Sequence, residues 1–358
     1  MTEQRIIAGR QNQLQFLRFL AFLNIFISHC ESWVFFPYRT SHCAHAAVSF
    51  FFMLSGLVTG YSLMRKDLTH LSWKAEGAYV GKKLSRIYPL YLVTTLIAVI
   101  FSGLPINAMA GDWGAFRQEG GQLLRNLLLI QSWFPEGAHS FNSVGWFLSA
   151  LMFSYVCALP IGRILNRLTK RRHPVLALCA AFGGTAFCVI LYCHTVQENM
   201  TYWQYQHPLA RLGEFSLGMI LGYLTTLVRE KICGTGWRRW LLTGAEVLAL
   251  GFWYVSLSRP GNYWCNRIVA WMVPNALLLT VFSLGGGWAS ELFRRKVPVY
   301  LGDISFECYL VHQMIIIRLA AQTADIPVSP AGKVFCFMLC LVISLVTAAF
   351  LHGRRKTA

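Results

Sequence analysis

The sequence predicts an all-α, polytopic membrane protein built as a bundle of about ten transmembrane helices. Of its 358 residues, 55% are hydrophobic and only 13% are charged, whereas soluble proteins carry about 25% charged residues. Apolar segments long enough to cross a bilayer recur along the whole chain. The 12 Trp, 14 Tyr and 25 Phe residues suit the aromatic belts of membrane interfaces. No soluble domain of credible length remains, so we expect residues 1–358 to form one transmembrane domain.

Ten apolar segments are the predicted spans. The first follows thirteen mostly polar residues, and because no small-residue cleavage site accompanies it, we expect a membrane helix rather than a signal peptide. The spans cover residues 14–36, 45–64, 86–103, 143–165, 174–194, 208–228, 239–257, 266–284, 298–320 and 333–352.

The basic residues orient these predicted helices. Of the 32 Lys and Arg residues, 23 fall in loops and helix ends on the same predicted side as the N-terminus. Because positive charge is retained on the cytoplasmic side of membranes, the N-terminus and the C-terminus are both predicted to be cytoplasmic. The short basic loops also explain the net charge of +17. Their expected neighbour is anionic membrane lipid, and we predict no nucleic-acid binding.

Cysteine usage indicates neither a metal site nor a disulfide framework. The eleven cysteines are scattered, mostly within apolar segments, without a CxxC pair or the spacing of metal ligands. Cys43, Cys193 and Cys265 fall near or in predicted outer loops, so a single bridge between two of them is left open. We therefore predict no bound metal. We also expect no bound cofactor.

Two polar side chains lie inside the first predicted span. Arg18 and His29 are eleven residues apart, which on a helix places them within about 20° of each other and about 16 Å apart along the axis. Ionisable residues inside a membrane are costly and generally functional. This pair favours an anionic ligand held near one side, with a continuous polar passage to a buried reaction centre. The structural alternative is a snorkelling arginine and a histidine hydrogen-bonded between helices.

The ninth predicted span carries a second polar stripe. Ser305, Tyr309 and His312 are spaced i, i+4 and i+7, on one helix face. Because this span runs outward from the predicted cytoplasmic side, we expect His312 at the depth of His29, where two imidazoles could share one cavity. Alternatively, His312 bonds a neighbouring helix and Tyr309 packs in the core.

Two further features are interpreted structurally. Arg211 and Glu214 have the spacing of a pair on one helix face, and we expect them to pair with each other. The stretch 102–142 is long for a protein whose other loops are short. It is either an interfacial amphipathic helix or an element that covers a cavity, and both alternatives stay open.

Five sequence blocks stand out along the chain. They are LRFLAFLNIFISH (17–29), SFFFMLSGLVTGYS (49–62), KKLSRIYPLY (82–91), SVGWFLSALMFSYVCALP (143–160) and SFECYLVHQ (305–313). In this order they resemble the signatures of the acyltransferase-3 family of ten-helix, integral-membrane O-acyltransferases, beginning with its Arg-ten-residues-His motif. Each block alone is loose, but five in order with the matching number of helices are specific, and the resemblance covers essentially the whole chain.

The chain departs from the family pattern at two positions. Lys83 stands where the family usually has the first arginine of an Arg-two-residues-Arg motif that ends here with Arg86. Lysine keeps the charge but lacks the bidentate fork of arginine. Leu151 stands where many members have a glutamate five residues after the tryptophan of the fourth helix, so no role of that carboxylate carries over to this chain.

The resemblance implies a multi-pass O-acyltransferase of the cell inner (cytoplasmic) membrane. Such an enzyme would move an acyl group, expected to be acetyl, from cytoplasmic acyl-CoA to a hydroxyl of a surface glycan or a lipid-linked sugar. Acyl-CoA is then a co-substrate, and membrane lipid, donor and glycan are the expected partners. The acceptor, the acyl group and the oligomeric state are not specified by the sequence.

The resemblance also implies roles for individual residues. Arg18, Lys83 and Arg86 would hold the phosphates of the donor at the cytoplasmic side. His29 would act as general base on the acceptor hydroxyl, with His312 as a second catalytic residue. Ser305 and Tyr309 would contact the developing oxyanion or the sugar. The sequence leaves open whether a covalent acyl-histidine forms.

A transporter or flippase for a glycan or a small molecule is the alternative from another functional class. Polar residues in the middle of a polytopic bundle suit both functions. Transporters typically contain paired repeats with Gly- or Pro-interrupted helices at matching places. Gly56 and Gly60 in the second span have no evident counterpart of that kind, so the sequence favours acyl transfer.

Overall fold

The computed structural model describes residues 11–30, 41–69, 72–196, 198–199, 201–232, 236–257, 271–323 and 329–357. Across these residues the chain is predominantly helical and contains no β-strand. The helices are α1 (Gln13–His29), α2 (Ser41–Leu63), α3 (Trp73–Ile100), α4 (Leu104–Ala110), α5 (Trp113–Leu127), α6 (Trp146–Thr169), α7 (Pro174–Thr195), α8 (Pro208–Ile232), α9 (Trp237–Leu257), α10 (Val273–Leu284), α11 (Trp288–Phe293), α12 (Lys296–Thr323) and α13 (Pro330–Thr357). Each of the ten predicted spans overlaps one of these helices, in order α1, α2, α3, α6, α7, α8, α9, α10, α12 and α13.

Seven of the described helices are long and apolar enough to cross a membrane, namely α2, α3, α6, α7, α9, α12 and α13. The described part of α1 has 17 residues, and α10 is an apolar helix of 12 residues. The all-helical, multi-pass character is therefore confirmed, while the number of ten spans and the cytoplasmic termini stay predictions. The first and eighth predicted spans extend into residues outside the described ranges, where Cys265 also lies. The Cys43 side chain is likewise not described.

Helix α3 extends beyond the third predicted span on its N-terminal side. It begins at Trp73, where the Ser72 hydroxyl accepts a hydrogen bond of 3.2 Å from the Ala75 backbone N–H, whereas the predicted span covers residues 86–103. The first turns of α3 are polar and largely exposed, so hydropathy does not detect them. Lys83 and Arg86 consequently lie within a regular helix rather than in the chain that leads into it.

The stretch 102–142 folds into α4, α5 and a short 3-10 turn, Gln131–Trp133. Tyr91 of α3 anchors it, because the fully buried phenol donates to the Asn126 carbonyl oxygen at 3.0 Å and accepts from the Gln131 amide at 3.1 Å. Ser132 adds a hydroxyl–hydroxyl bond of 2.7 Å to Ser149 of α6. These bonds fix the position from which the chain enters α6.

Helices α2 and α8 approach so closely that glycine is required on both. A Cβ at Gly56 would clash with the carbonyl oxygen of Phe215, and one at Gly218 would clash with that of Met53. Gly60 and Gly222 repeat this contact one turn further along. Two small-xxx-small motifs therefore face each other, as is typical of membrane helices in close contact. Gly56 and Gly60 of α2 are therefore matched by Gly218 and Gly222 of α8 in this helix contact.

Helix α1 packs against α2 and α12. Phe22 and Phe26 are fully buried on it, and a Cβ at Gly302 of α12 would clash with the α1 backbone at Gln15. This close approach places the face of α1 that bears Arg18 and His29 next to the polar stripe of α12.

Candidate active site

A cavity of about 900 Å³ opens at the end of the bundle where α1 begins. Among the described residues, basic side chains that line it outnumber carboxylates six to two. The six are Arg18, Arg65, Lys83, Arg86, Arg229 and Arg355, and the two are Asp303 and Glu307. We call this space the basic cavity. Its electrostatic character suits a polyanionic ligand.

The basic cavity brings together all three residues predicted to bind the donor. Arg18 comes from α1, and Lys83 and Arg86 come from α3. The Lys83 ammonium lies 4.6 Å from the centre of the Tyr155 ring, a distance suited to a cation–π interaction. Leu151, at the position of the absent glutamate, also lines the cavity and makes that part of it apolar.

Three of the six cations were missed as site residues in the sequence. Arg65 follows α2, Arg229 lies near the end of α8, and Arg355 lies near the end of α13. At the sequence level they indicate only topology, because basic residues near helix ends are expected on the cytoplasmic side. Their convergence follows from the tertiary packing of helices distant in sequence.

One carboxylate of the basic cavity is already paired. Glu307 is 1% exposed, and its Oε1 accepts hydrogen bonds of 3.1 Å from both the His352 ring and the Arg355 guanidinium. A buried carboxylate needs such compensation. The pairing leaves cations in excess for a ligand.

His29 and His312 lie in direct contact. The Nδ1 atom of His29 is 2.8 Å from the Nε2 atom of His312, and the rings are parallel within 2°, with centres 5.0 Å apart. His312 is fully buried. The two spans thus place the predicted catalytic residues at one depth, as the spacing predicts.

The hydrogen bonds of His312 determine where the protons lie when both rings are neutral. Its Nδ1 is 2.8 Å from the Tyr309 carbonyl oxygen and 3.2 Å from that of Cys308. Carbonyl oxygens only accept, so Nδ1 of His312 carries the proton and its Nε2 has the lone pair. His29 must therefore donate from Nδ1, which leaves a lone pair on its Nε2.

His29 lines a second cavity of about 300 Å³ at the opposite end of the bundle. Trp146 and Tyr205, whose ring centres are 4.9 Å apart, form an aromatic part of its lining. Ser143 also lines it, and its buried hydroxyl has no hydrogen-bond partner among the described residues. We call this space the histidine cavity. It offers the lone pair of His29 a polar, partly aromatic chamber.

His139 is a further residue of this cavity that the sequence did not single out. Its Nδ1 lies 3.2 Å from the Ser143 carbonyl oxygen, and its Nε2 contacts the Gln206 amide. His139 belongs to the stretch 102–142, whose end therefore lines the cavity. A histidine in an irregular segment carries no periodic signal, so only the fold reveals its place.

The predicted pair of Arg211 and Glu214 is confirmed, at 2.5 Å. The same buried guanidinium donates from Nε to the Tyr205 carbonyl oxygen at 2.7 Å and from Nη2 to the Gln204 carbonyl oxygen at 3.0 Å. These carbonyls belong to the π-helical turn Thr201–Gln206. Arg211 therefore fixes the turn that carries Tyr205 and Gln206 into the histidine cavity.

In the described residues, Arg18 and His29 are not joined by the predicted continuous polar passage. Arg18 lines the basic cavity and His29 lines the histidine cavity. Phe22 and Ile25, both buried, occupy the same face of α1 between them. Apolar side chains therefore lie between the two polar residues. Phe22 and Ile25 follow Arg18 by four and seven residues, a spacing that returns to the same helix face.

The other two predicted contacts lie near this interruption. Ser305 lines the basic cavity, but its hydroxyl donates to the Gly302 carbonyl oxygen of its own helix at 2.7 Å. Tyr309 lines both cavities. Its hydroxyl donates to the Val144 carbonyl oxygen at 3.0 Å. Neither hydroxyl is free to donate to a ligand without breaking its present bond.

Comparisons with known proteins identify the family of the chain. A family model described as "Acyltransferase domain" matches residues 11–354. The chain is similar to "Acyltransferase MdmB" of Streptomyces mycarofaciens, with 30% identity over 330 residues that cover 84% of this chain and 77% of the relative. No solved structure matches.

Proposed function

This chain belongs to the acyltransferase-3 family of membrane acyltransferases, and on that premise we propose that it is an O-acetyltransferase that uses acyl-CoA. The acceptor in this proposal is a hydroxyl of an extracytoplasmic or lipid-linked glycan, and the enzyme resides in the inner membrane. One observation carries the proposal above all: the His29–His312 contact leaves the lone pair of His29 Nε2 in a cavity opposite a cluster of cations.

The basic cavity is the proposed donor site. Arg18, Lys83 and Arg86 bind the diphosphate and the 3′-phosphate of acyl-CoA, assisted by Arg65 and Arg229. Charge-assisted hydrogen bonds from arginine to phosphate are strong and frequently bidentate. The volume of about 900 Å³ lies in the usual range for sites that enclose an organic ligand.

The histidine cavity is the proposed acceptor site. The Trp146 and Tyr205 rings offer flat apolar surfaces on which the C–H face of a sugar ring can pack. The Ser143 hydroxyl, which lacks a partner among the described residues, supplies a polar contact to the acceptor. Binding there brings an acceptor hydroxyl to His29.

The chemistry follows from the proton positions. The acceptor oxygen attacks the thioester carbonyl carbon while its proton passes to His29 Nε2, which is general base catalysis. The tetrahedral intermediate then collapses, the C–S bond breaks, and the coenzyme A thiolate takes the proton from His29. His312 accepts the Nδ1 hydrogen bond throughout and so keeps the ring in the productive tautomer. The products are an ester and free coenzyme A.

The transporter alternative has no observation of its own in its favour. The family and the relative are both described as acyltransferases, and the glycines of α2 are explained by packing against α8.

Replacement of His29 tests the proposal. In membranes supplied with labelled acetyl-CoA, His29→Ala is expected to lower ester formation on glycan by at least about 100-fold, since a general base contributes this much or more. The matched control is His173→Ala, because His173 is exposed at the start of α7, outside both cavities. Ester formation by His29→Ala at the wild-type rate, at equal protein levels, would refute the assignment.

A further inference from the structure

Tyr309 is the one described residue that lines both cavities. Every proposed phosphate-binding residue lies in the basic cavity, and His29 lies in the histidine cavity. If the proposed function holds, the thioester carbonyl must come within reach of an acceptor hydroxyl beside His29. The acyl group therefore has to pass the Tyr309 side chain.

The Tyr309 ring is held in place from several directions. Its centre lies 5.4 Å from that of Phe147 and 5.9 Å from that of the His312 ring, and the residue is 6% exposed. The hydroxyl makes one directional bond, to the Val144 carbonyl oxygen at 3.0 Å. Rotation of the side chain breaks this bond, so the bond favours the position in which the cavities are separate.

The backbone of Tyr309 has a different constraint. Its carbonyl oxygen accepts the hydrogen bond from His312 Nδ1 at 2.8 Å, which fixes the tautomers of His312 and His29. A shift of this part of α12 would disturb the base. A rotation of the side chain alone would remove the ring from between the cavities without moving the backbone carbonyl that holds the base.

The bond to Val144 connects Tyr309 with the acceptor site. Val144 belongs to the 3-10 turn Ser143–Gly145, and Ser143, Val144 and Trp146 all line the histidine cavity. A molecule bound there contacts the turn that holds the Tyr309 hydroxyl. Occupancy of the acceptor site and the position of Tyr309 are thus coupled through one carbonyl group.

We propose that Tyr309 determines specificity for the acceptor over water by separating the two cavities until an acceptor occupies the histidine cavity. This inference rests on the proposed function and adds that the enzyme limits a side reaction, the hydrolysis of the acyl donor by water. In that side reaction, water attacks the thioester carbon and gives its proton to His29, and the C–S bond breaks to yield a carboxylic acid and free coenzyme A. Exclusion of water from reactive intermediates is a recognised benefit of a closed site.

The variant Tyr309→Phe removes the hydroxyl and keeps the ring. The full-length protein is assayed with labelled acetyl-CoA in two preparations: purified in detergent, without added acceptor, and in native membranes, which supply acceptor. Hydrolysis to acetate in detergent is expected to rise by about three- to tenfold, the effect of losing one net hydrogen bond that favours the closed position. The ratio of ester to acetate in native membranes is expected to fall correspondingly.

The matched control is Tyr88→Phe. The Tyr88 hydroxyl also donates to a backbone carbonyl oxygen, that of Leu127 at 2.9 Å, and the residue lines neither cavity. Hydrolysis by Tyr309→Phe at the level of Tyr88→Phe would overturn the inference. Loss of both hydrolysis and transfer in folded Tyr309→Phe would also overturn it, because Tyr309 would then be required for the reaction itself.

A second variant covers a failure to fold. Tyr309→Leu removes both the ring and the hydroxyl, and it is expected to raise hydrolysis more than Tyr309→Phe does. If Tyr309→Leu hydrolyses no more donor than wild type does, the inference that Tyr309 separates the two cavities is contradicted. Wild-type protein that consumes no acetyl-CoA in either preparation instead contradicts the proposed function, and the role of Tyr309 falls with it.

Discussion

The reactivity proposed for His29 depends on which of its ring nitrogens carries the proton. A buried histidine on a helix can donate to the carbonyl oxygens three and four residues earlier, and His312 does so with Tyr309 and Cys308. The α12 backbone thus fixes which nitrogen of His312 carries the proton, and His312 in turn fixes which nitrogen of His29 does. His312 is thus proposed as a positioning residue with respect to the reacting atoms, although the sequence predicts it as a catalytic partner.

A glutamine at position 312 tests this role. The Gln side-chain oxygen can accept from His29 Nδ1 as His312 Nε2 does, whereas leucine cannot. We therefore expect His312→Gln to retain a measurable fraction of transfer and His312→Leu to lose about 10-fold to 100-fold, by analogy with the loss of a group that orients a metal-ligating histidine. The measurement is kcat and KM for labelled acetyl-CoA in membranes, where kcat should change more than KM. Equal activity of the two variants would argue against proton placement by residue 312.

Sequence spacing predicts the residues of the site better than their interactions. Arg18, His29 and His312 are found because helical periodicity assigns side chains to faces. The hydrogen bond between the two parallel imidazoles, by contrast, depends on how α1 and α12 are rotated against each other. Arg229 and Arg355 show the same limit, since each reaches the basic cavity from the end of a helix more than two hundred residues from Arg18.

At the scale of helices, a single element contributes polar groups to both cavities. Helix α12 presents Asp303, Ser305 and Glu307 to the basic cavity and Tyr309 to both cavities. The helices themselves are predicted well from apolar length, but α3 extends beyond its predicted span because its first turns are polar. Contacts between distant helices, such as those of α2 with α8, cannot be predicted from either helix alone. The glycines of α2 are required only because the α8 backbone packs against them, and the reverse holds for α8.

The glycine contact between α2 and α8 predicts a stability effect. Gly218→Ala places a Cβ against the Met53 carbonyl oxygen, so the helices must separate, and overpacking of this kind typically costs about 1–3 kcal/mol. Gly244→Ala on α9 is the matched control, because a Cβ there meets no atom within 4 Å. The temperature at which the purified protein loses its monodisperse elution peak should fall for Gly218→Ala only. Equal thermal stability of the two variants would contradict the predicted close contact.

At the scale of the whole molecule, the two cavities lie at opposite ends of the bundle. Residues at the beginning of α1 and at the ends of α2, α8 and α13 line the basic cavity, together with residues of α3, α6 and α12. Residues at the end of α1 and the beginning of α2 line the histidine cavity, together with His139, Trp146 and the turn Thr201–Gln206. With the predicted cytoplasmic N-terminus, the proposed donor site opens to the cytoplasm and the proposed acceptor site to the outside. In this proposal only the acyl group passes between the cavities, and the polyanionic coenzyme stays on the cytoplasmic side.

This arrangement predicts a sided reaction. Acetyl-CoA carries several negative charges and does not cross a sealed bilayer, so it reaches the basic cavity only from the side on which that cavity opens. In inside-out membrane vesicles, whose cytoplasmic face points outward, added labelled acetyl-CoA is expected to label glycan. In sealed right-side-out vesicles the same addition is expected to give little label until a mild detergent makes them permeable. Labelling in sealed right-side-out vesicles but not in inside-out vesicles would reverse the predicted orientation, because the six cations of the basic cavity would then face the outside.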